Sequence, residues 1–308
     1  MKYLITGASG MLGRDLQTVL AGRSVTALGR SDLDVTDLGA VTDAVAGFDV
    51  VINAAAYTKV DDAETNEEAA YAVNADGALH LAIAASVASA RLVQVSTDYV
   101  FNGRGTTPYP ENTPRDPISA YGRTKGVGEK FVLDENPEGS FIVRTAWLYG
   151  QHSPNFATTM LRLAGSHPTV SVVSDQLGQP TWTMDLARQI TLLLDTDAPV
   201  GIYHGTNSGV ASWFDFAREV FGLAGLDPER VLPTDSAAFV RPAPRPAYSV
   251  LGHDAWARAG IEPMRPWQEA LAEAAATGAL GELAGSVGTA GSIGTAGSVG
   301  TAGSVGTA

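Results

Sequence analysis

The sequence predicts an α/β protein: a doubly wound parallel sheet covered by helices on both faces, with a smaller C-terminal lobe. Three observations carry this. Short apolar runs alternate with helical stretches from Tyr3 to Thr145, the spacing of parallel strands joined by helical crossovers. A glycine turn, Gly7-Ala8-Ser9-Gly10-Met11-Leu12-Gly13, joins the first apolar run to the first helix. Beyond Gly150 the alternation becomes less regular. On this pattern residues 1–150 form the sheet domain, with segments near 170–195 returning to it. Residues 151–280 form most of the smaller lobe, and residues 281–308 a tail.

Each element has its own justification. Tyr3–Thr6 is an apolar strand, and Arg14–Leu20 reads as the helix beyond the turn. Strand, glycine turn and helix together are the Rossmann-type context for a dinucleotide. One glycine allows the tight turn, another lets backbone approach a pyrophosphate, and the third lets the helix pack on the strand. Cofactor contacts are therefore expected from Gly7, Gly10, Met11, Leu12 and Gly13. The second strand, Ser24–Gly29, ends at Arg30. An arginine there can pair with a 2′-phosphate, which favours NADPH. Asp32 and Asp34 follow closely and leave NADH open; Asp34, beside Val35, could accept a bond from the adenine amino group. Asp37 is placed to cap the next helix.

Val50–Asn53 is a buried-type strand, followed by Ala54, Ala55, Ala56 and Tyr57. Small residues at a strand's carboxyl end leave room for a flat ligand. Asp61, Asp62 and Glu64 flank a helix start, where negative charge suits the dipole. Residues 66–88 read as one alanine-rich helix with Asn74 as a local kink. The strand Leu92–Val95 then leads to Thr97, a helix over Lys125–Leu133 follows, and Phe141–Thr145 is the fifth strand. In the second half, Asn155–Leu163, Asp185–Leu194 and Trp213–Leu223 read as helices, and Val170–Val173 and Gly201–His204 as strands. Apolar spacing assigns Trp213 to the core.

The bulk properties narrow the function classes. The chain has 308 residues and a net charge of −13. That balance argues against nucleic acid or an anionic membrane as the main partner. A local arginine cluster can still hold a small anion. Arg241-Pro242-Ala243-Pro244-Arg245-Pro246 is such a cluster on a stiff segment that can be neither regular helix nor central strand. Its two guanidiniums suit a diphosphate. There are no cysteines, hence no disulfide and no thiolate chemistry. His80, His152, His167, His204 and His253 show no metal-ligand spacing. No metal site is supported, although Mg²⁺ at a surface carboxylate cluster would leave no mark in the pattern. No signal peptide or membrane span is visible, so a cytoplasmic protein is expected. Residues 285–308 are four copies of Gly-Ser-(Val/Ile)-Gly-Thr-Ala. One apolar residue per copy cannot bury a core, so a flexible tail is expected.

The chemistry concentrates in residues 96–125. Tyr121 and Lys125 are four apart, so on a helix they share a face. A nearby ammonium favours the phenolate and brings a phenol toward working pH. Thr97 adds a hydroxyl where its strand runs out. Hydroxyl, phenol and ammonium can polarise a carbonyl and protonate the oxygen left after a hydride arrives.

Together, Gly7-x-x-Gly10-x-x-Gly13, Asn53-Ala54-Ala55-Ala56, Ser96-Thr97-Asp98-Tyr99-Val100-Phe101-x-Gly103 and Tyr121-x-x-x-Lys125 resemble the extended short-chain dehydrogenases/reductases. Among these the chain looks most like the dTDP-4-dehydrorhamnose reductases, from Met1 to about Ala272. Arg144–Gly150, Asn155-Phe156, Asp175-Gln176-x-Gly178-x-Pro180-Thr181 and the arginine–proline stretch add to the likeness. The resemblance implies NADPH-dependent reduction of the C4 keto group of a dTDP-linked 4-keto-6-deoxy-L-hexose, giving dTDP-L-rhamnose, with NADH also accepted. Tyr121 would protonate the new alkoxide, Lys125 would tune it and bind the nicotinamide ribose, and Thr97 would hydrogen-bond the keto oxygen. Asp98, Trp147, Asn155, Gln176, Arg241 and Arg245 would complete the substrate set. Nucleotide-sugar dehydratases follow the corresponding threonine with Asp-Glu; here the order is Thr97-Asp98-Tyr99, so elimination is disfavoured. Two alternatives stay open. One is a 4-ketoreductase for a related dTDP-deoxysugar, such as a dihydrostreptose-type sugar. The other is a non-catalytic regulatory subunit on the same fold. Monomer and homodimer are both compatible with the sequence.

Overall fold

The structure, a computed structural model, describes residues 1–281. The repeat at 285–308, and with it the expected tail, lies outside the described residues. The chain runs β1 (Lys2–Thr6), α1 (Met11–Val19), β2 (Ser24–Leu28), α2 (Leu38–Val45), β3 (Val50–Asn53), α3 (Val60–Ala63) and α4 (Glu67–Tyr71). A π-helical turn (Ala72–Asp76), α5 (Gly77–Ala88), β4 (Arg91–Thr97), α6 (Ala120–Glu135) and β5 (Ser140–Thr145) follow. These five strands and Gly201–His204 form one parallel sheet, in the order Gly201–His204, β5, β4, β3, β1, β2. The order reverses between β1 and β3, the switch point where open α/β sheets bind ligands beyond their strands' carboxyl ends.

Side-chain alternation explains the layers. Tyr3 and Ile5 of β1, Val50 and Ile52 of β3, and Phe141 and Val143 of β5 face one apolar layer with α1 and the helix Thr183–Asp195. Leu4, Val51, Leu92 and Ile142 face the opposite layer with α2 and α5. A third cluster fills the C-terminal lobe around Tyr149, Phe216, Phe221 and Trp267. The chain returns to the first layers through Thr183–Asp195 and Gly201–His204. Val170–Val173 does not: it pairs with Val231–Thr234 in a separate two-stranded sheet.

Two elements differ from the sequence expectation, each for a packing reason. The helix carrying Tyr121 and Lys125 starts at Ala120, capped by the Ser119 hydroxyl, which accepts from Gly122 N at 3.1 Å. Gly122 and Gly128 lower helix propensity, but close packing demands them. A Cβ on Gly122 would lie 2.2 Å from the Tyr99 carbonyl oxygen, and one on Gly128 2.2 Å from that of Asn74. The expected single helix over 66–88 is instead α4, the π-helical turn and α5, with Asn74 inside the turn. Asp37 caps α2 as expected, accepting from Ala40 N at 3.0 Å.

Candidate active site

The carboxyl ends of β1, β3 and β4 are tied by a buried polar ladder. Thr6 donates to Asn53 Oδ1 at 2.6 Å, and Asn53 Nδ2 donates to Gln94 at 2.7 Å. Above it lies the glycine turn. Gly7 has φ +66°, and a Cβ there would sit 2.5 Å from the Ala54 carbonyl carbon; one on Gly13 would sit 2.4 Å from the Gly7 oxygen. Only glycine fits these two positions. No side chain caps the N-terminus of α1, and its first turn carries no acidic residue. Uncapped N–H groups at a helix start suit a phosphate.

The other expected cofactor residues surround this turn. Met11 packs beside Gly150 and Val35 against Gly77, and Leu12 is buried. Ala54, Ala55, Ala56 and Tyr57 are half-buried on the loop that follows β3. Arg30 is exposed at the end of β2 and has no ion-pair partner among the described residues. The Asp32 carboxylate folds back onto Gly29 N (2.8 Å), and Asp34 accepts from Thr36 N (2.9 Å) and Oγ1 (2.8 Å). Both carboxylates are thus engaged locally, while the Arg30 guanidinium is available for a 2′-phosphate. The residues present fit an NADP-type dinucleotide. Among the described residues no cluster could hold a metal ion.

Sequence did not reveal the role of Asn74. Its Oδ1 accepts from Tyr57 N at 2.8 Å, while its Nδ2 donates to the Tyr57 carbonyl (3.2 Å) and Thr124 Oγ1 (3.1 Å). One side chain thereby joins the loop after β3 to α6. π-bulges recur at functional sites, and a mid-helix asparagine was the available signal.

At the end of β4, Thr97, Asp98, Tyr121 and Lys125 come together, all buried. Thr97 Oγ1 donates to Asp98 Oδ1 at 3.0 Å, and Asp98 Oδ2 has no hydrogen-bond partner. Burial raises the Asp98 carboxyl to about 6, partly offset by the Ser249 and Thr97 hydroxyls. Burial also pushes the Tyr121 phenol up, with the Thr97 hydroxyl offsetting part of the rise. The expected lowering by Lys125 is therefore not seen here. Desolvation dominates, and one of the three Lys125 Nζ donors goes to the Val95 carbonyl at 2.7 Å. Burial brings Lys125 itself down to about 8. Tyr121 as found is a proton-bearing acid.

The stiff arginine segment reaches this centre indirectly. Arg245 lies over the Tyr99 ring (5.9 Å), and Tyr99 packs edge-on to Tyr121 (5.6 Å). Arg245 and Arg241 both face Asp61, at 3.0 and 3.9 Å. Trp147 has φ +47°, a strained conformation for a bulky residue. It stacks on Trp213 with centroids 3.6 Å apart, and a Cβ on Gly178 would collide with its ring. Asn155 and Gln176 are engaged elsewhere. Asn155 caps the helix Phe156–Ala164 and donates to the Gly150 and Ser153 carbonyls (2.7 and 3.0 Å). Gln176 donates to Ser236 Oγ at 2.9 Å.

Fold and site together define the class: an α/β oxidoreductase of the extended short-chain dehydrogenase/reductase type. A family model described as "RmlD substrate binding domain" matches residues 1–279. The chain is 52% identical over 280 residues to a dTDP-4-dehydrorhamnose reductase of Streptomyces griseus, covering 88% of this chain and 92% of the relative. It is 50% identical over 277 residues to a dTDP-4-keto-6-deoxy-D-glucose reductase of Streptomyces niveus, covering 89% and 96%. A crystal structure of dTDP-4-dehydrorhamnose reductase from Bacillus anthracis in complex with NADP superposes with TM-score 0.85 at 39% identity, covering 89% and 99%. The chain belongs to the RmlD substrate binding domain family.

Proposed function

We propose that the protein reduces the C4 ketone of a dTDP-linked 4-keto-6-deoxyhexose with NADPH, the L-series substrate giving dTDP-L-rhamnose. The observation that carries this is the meeting of Thr97, Tyr121 and Lys125 beside an uncapped glycine-turn helix. Bound NADPH supplies a hydride to the carbonyl carbon. The chain supplies the rest. Thr97 Oγ1 holds the keto oxygen, and Tyr121 Oη gives it a proton, so that the C=O becomes CH–OH. Lys125 would hold the nicotinamide ribose, and its ammonium would stabilise the Tyr121 phenolate left when the proton is given up. Arg30 pairs with the 2′-phosphate, Asp98 accepts from a sugar hydroxyl through its unpartnered Oδ2, and Arg241 and Arg245 take the diphosphate. Trp147 packs against the hexose. We place this activity in the cytoplasm, without nucleic acid or membrane as partner.

A second reading keeps the chemistry and changes the sugar, because relatives named for different 4-keto sugars are almost equally similar, at 52% and 50%. One assay separates them: NADPH absorbance with the 4-keto sugar made in situ from dTDP-glucose, with and without the 3,5-epimerase. Oxidation only with the epimerase, yielding dTDP-L-rhamnose, is the expected result. Oxidation without it assigns the D-series sugar. No oxidation in either sample, with cofactor bound, would overturn both sugar assignments and favour another keto substrate or the regulatory role.

A further inference from the structure

Tyr121, Lys125 and Glu129 stand four residues apart on α6 and share one face. That face meets the last three residues of β4. Lys125 Nζ donates to the Val95 carbonyl at 2.7 Å, the Ser96 hydroxyl donates to Glu129 Oε1 at 2.6 Å, and the Thr97 hydroxyl acts on Tyr121. Glu129 is itself gripped. Arg144 Nε donates to Oε1 at 2.8 Å, Arg144 Nη2 to Oε2 at 2.7 Å, and Arg115 lies 3.4 Å away. Arg144 comes from β5, directly opposite Ser96 in the sheet. Its Nη1 donates to the Glu111 carbonyl at 3.1 Å.

A buried ion pair seldom adds stability over well-packed apolar residues, so its presence calls for another account. We propose that Glu129, clamped by Arg144, is a positioning residue: it sets the register of α6 on β4, and its charge keeps Lys125 in the ammonium form. The inference rests on the roles given to Tyr121 and Lys125 above.

The surrounding groups support the second half. Tyr121 and Glu129 stand one turn to either side of Lys125 on its own helix; Asp98 acts on Tyr121, Arg144 and Arg115 bear on Glu129, and His204 lies 3.4 Å from Arg144. Among these, Glu129 is the charge that acts on Lys125, pulling upward against the larger effect of burial. Removing it would also leave Arg144 and Arg115 as uncompensated positive neighbours. Both changes push the ammonium toward losing its proton.

The test is a ¹³C NMR titration of the lysine Cε signals in the cofactor-free protein, which has only four lysines. The wild-type Lys125 midpoint is expected near 8. Glu129→Gln should move it down by about one unit or more. An unmoved midpoint in a folded variant overturns the charge role. If Glu129→Gln does not fold, Glu129→Asp, which withdraws the same charge by one methylene, should give a smaller downward shift, and no shift overturns it equally. Ser96→Ala keeps every charge and removes the clip to β4. It should leave the Lys125 midpoint in place and lower kcat about tenfold at unchanged NADPH affinity. Unchanged kcat overturns the register role. The titration needs no substrate, so it decides the charge role even if the wild-type protein fails the reductase assay.

Discussion

Tyr121→Phe is expected to lower kcat by roughly 10²–10⁴-fold, the usual loss when a positioned general acid is removed. NADPH affinity should stay within about twofold, because the phenol tip holds no part of the glycine-turn cradle. The fold should survive: phenylalanine keeps the edge-on contact with Tyr99 and fills the same volume. Burial has already pushed the Tyr121 phenol up, so at neutral pH it carries its proton and acts as an acid without prior protonation. Steady-state kinetics with NADPH fluorescence titration reads both quantities. A variant with full biological activity and no measurable turnover in either form would instead favour a regulatory role on this fold.

The second large effect is on stability. Arg144→Met should cost about 3 kcal/mol, because it takes the bidentate partner from a buried Glu129 and leaves only the Ser96 hydroxyl and the half-exposed Arg115 against its charge. Burial alone would raise the Glu129 carboxyl, but Arg144, Ser96 and Arg115 hold it below the ordinary carboxylate range. In the wild type this lowered value contributes stability above the unfolded carboxylate pKa, and the contribution is lost as pH falls through the folded one. In the variant the sign reverses. Burial then dominates, the folded pKa rises above the unfolded one, and acidification relieves the penalty. Urea unfolding at pH 7.5 and pH 5 should therefore show a smaller gap between the two proteins at the lower pH. An equal gap at both would mean that lost packing, rather than the charge of Glu129, causes the loss.

The parts of this molecule that can be read from sequence are those written in local patterns. Runs such as Tyr3–Thr6 and Val50–Asn53 are short, apolar and regularly spaced, and they became the central strands. The glycine turn announces itself because two of its positions exclude any Cβ. What stayed hidden depends on contacts between distant residues. Gly122 and Gly128 look like helix breakers until Tyr99 and Asn74 are seen pressed against them. The pairing of Arg245 with Asp61 joins segments 184 residues apart (245 − 61), and no local pattern shows that the diphosphate-suited arginines already face a carboxylate. Trp213 fits a core period, yet it stacks on the strained Trp147. Glu129 lay one turn beyond Lys125 on the same helical face. Only the position of Arg144 across the sheet gives that spacing meaning.

In the proposed reaction hydride passes from NADPH to C4 of the sugar while Tyr121 protonates the oxygen. It is tested most directly by running the coupled assay with NADPH carrying deuterium at the transferring position of C4 of the nicotinamide, and examining the product by NMR. One deuterium, bonded to C4 of the sugar, is expected, and none there when unlabelled NADPH is used in D₂O. With labelled NADPH in H₂O, deuterium at any carbon other than C4, or in D₂O a C4 deuterium drawn from solvent, would overturn it.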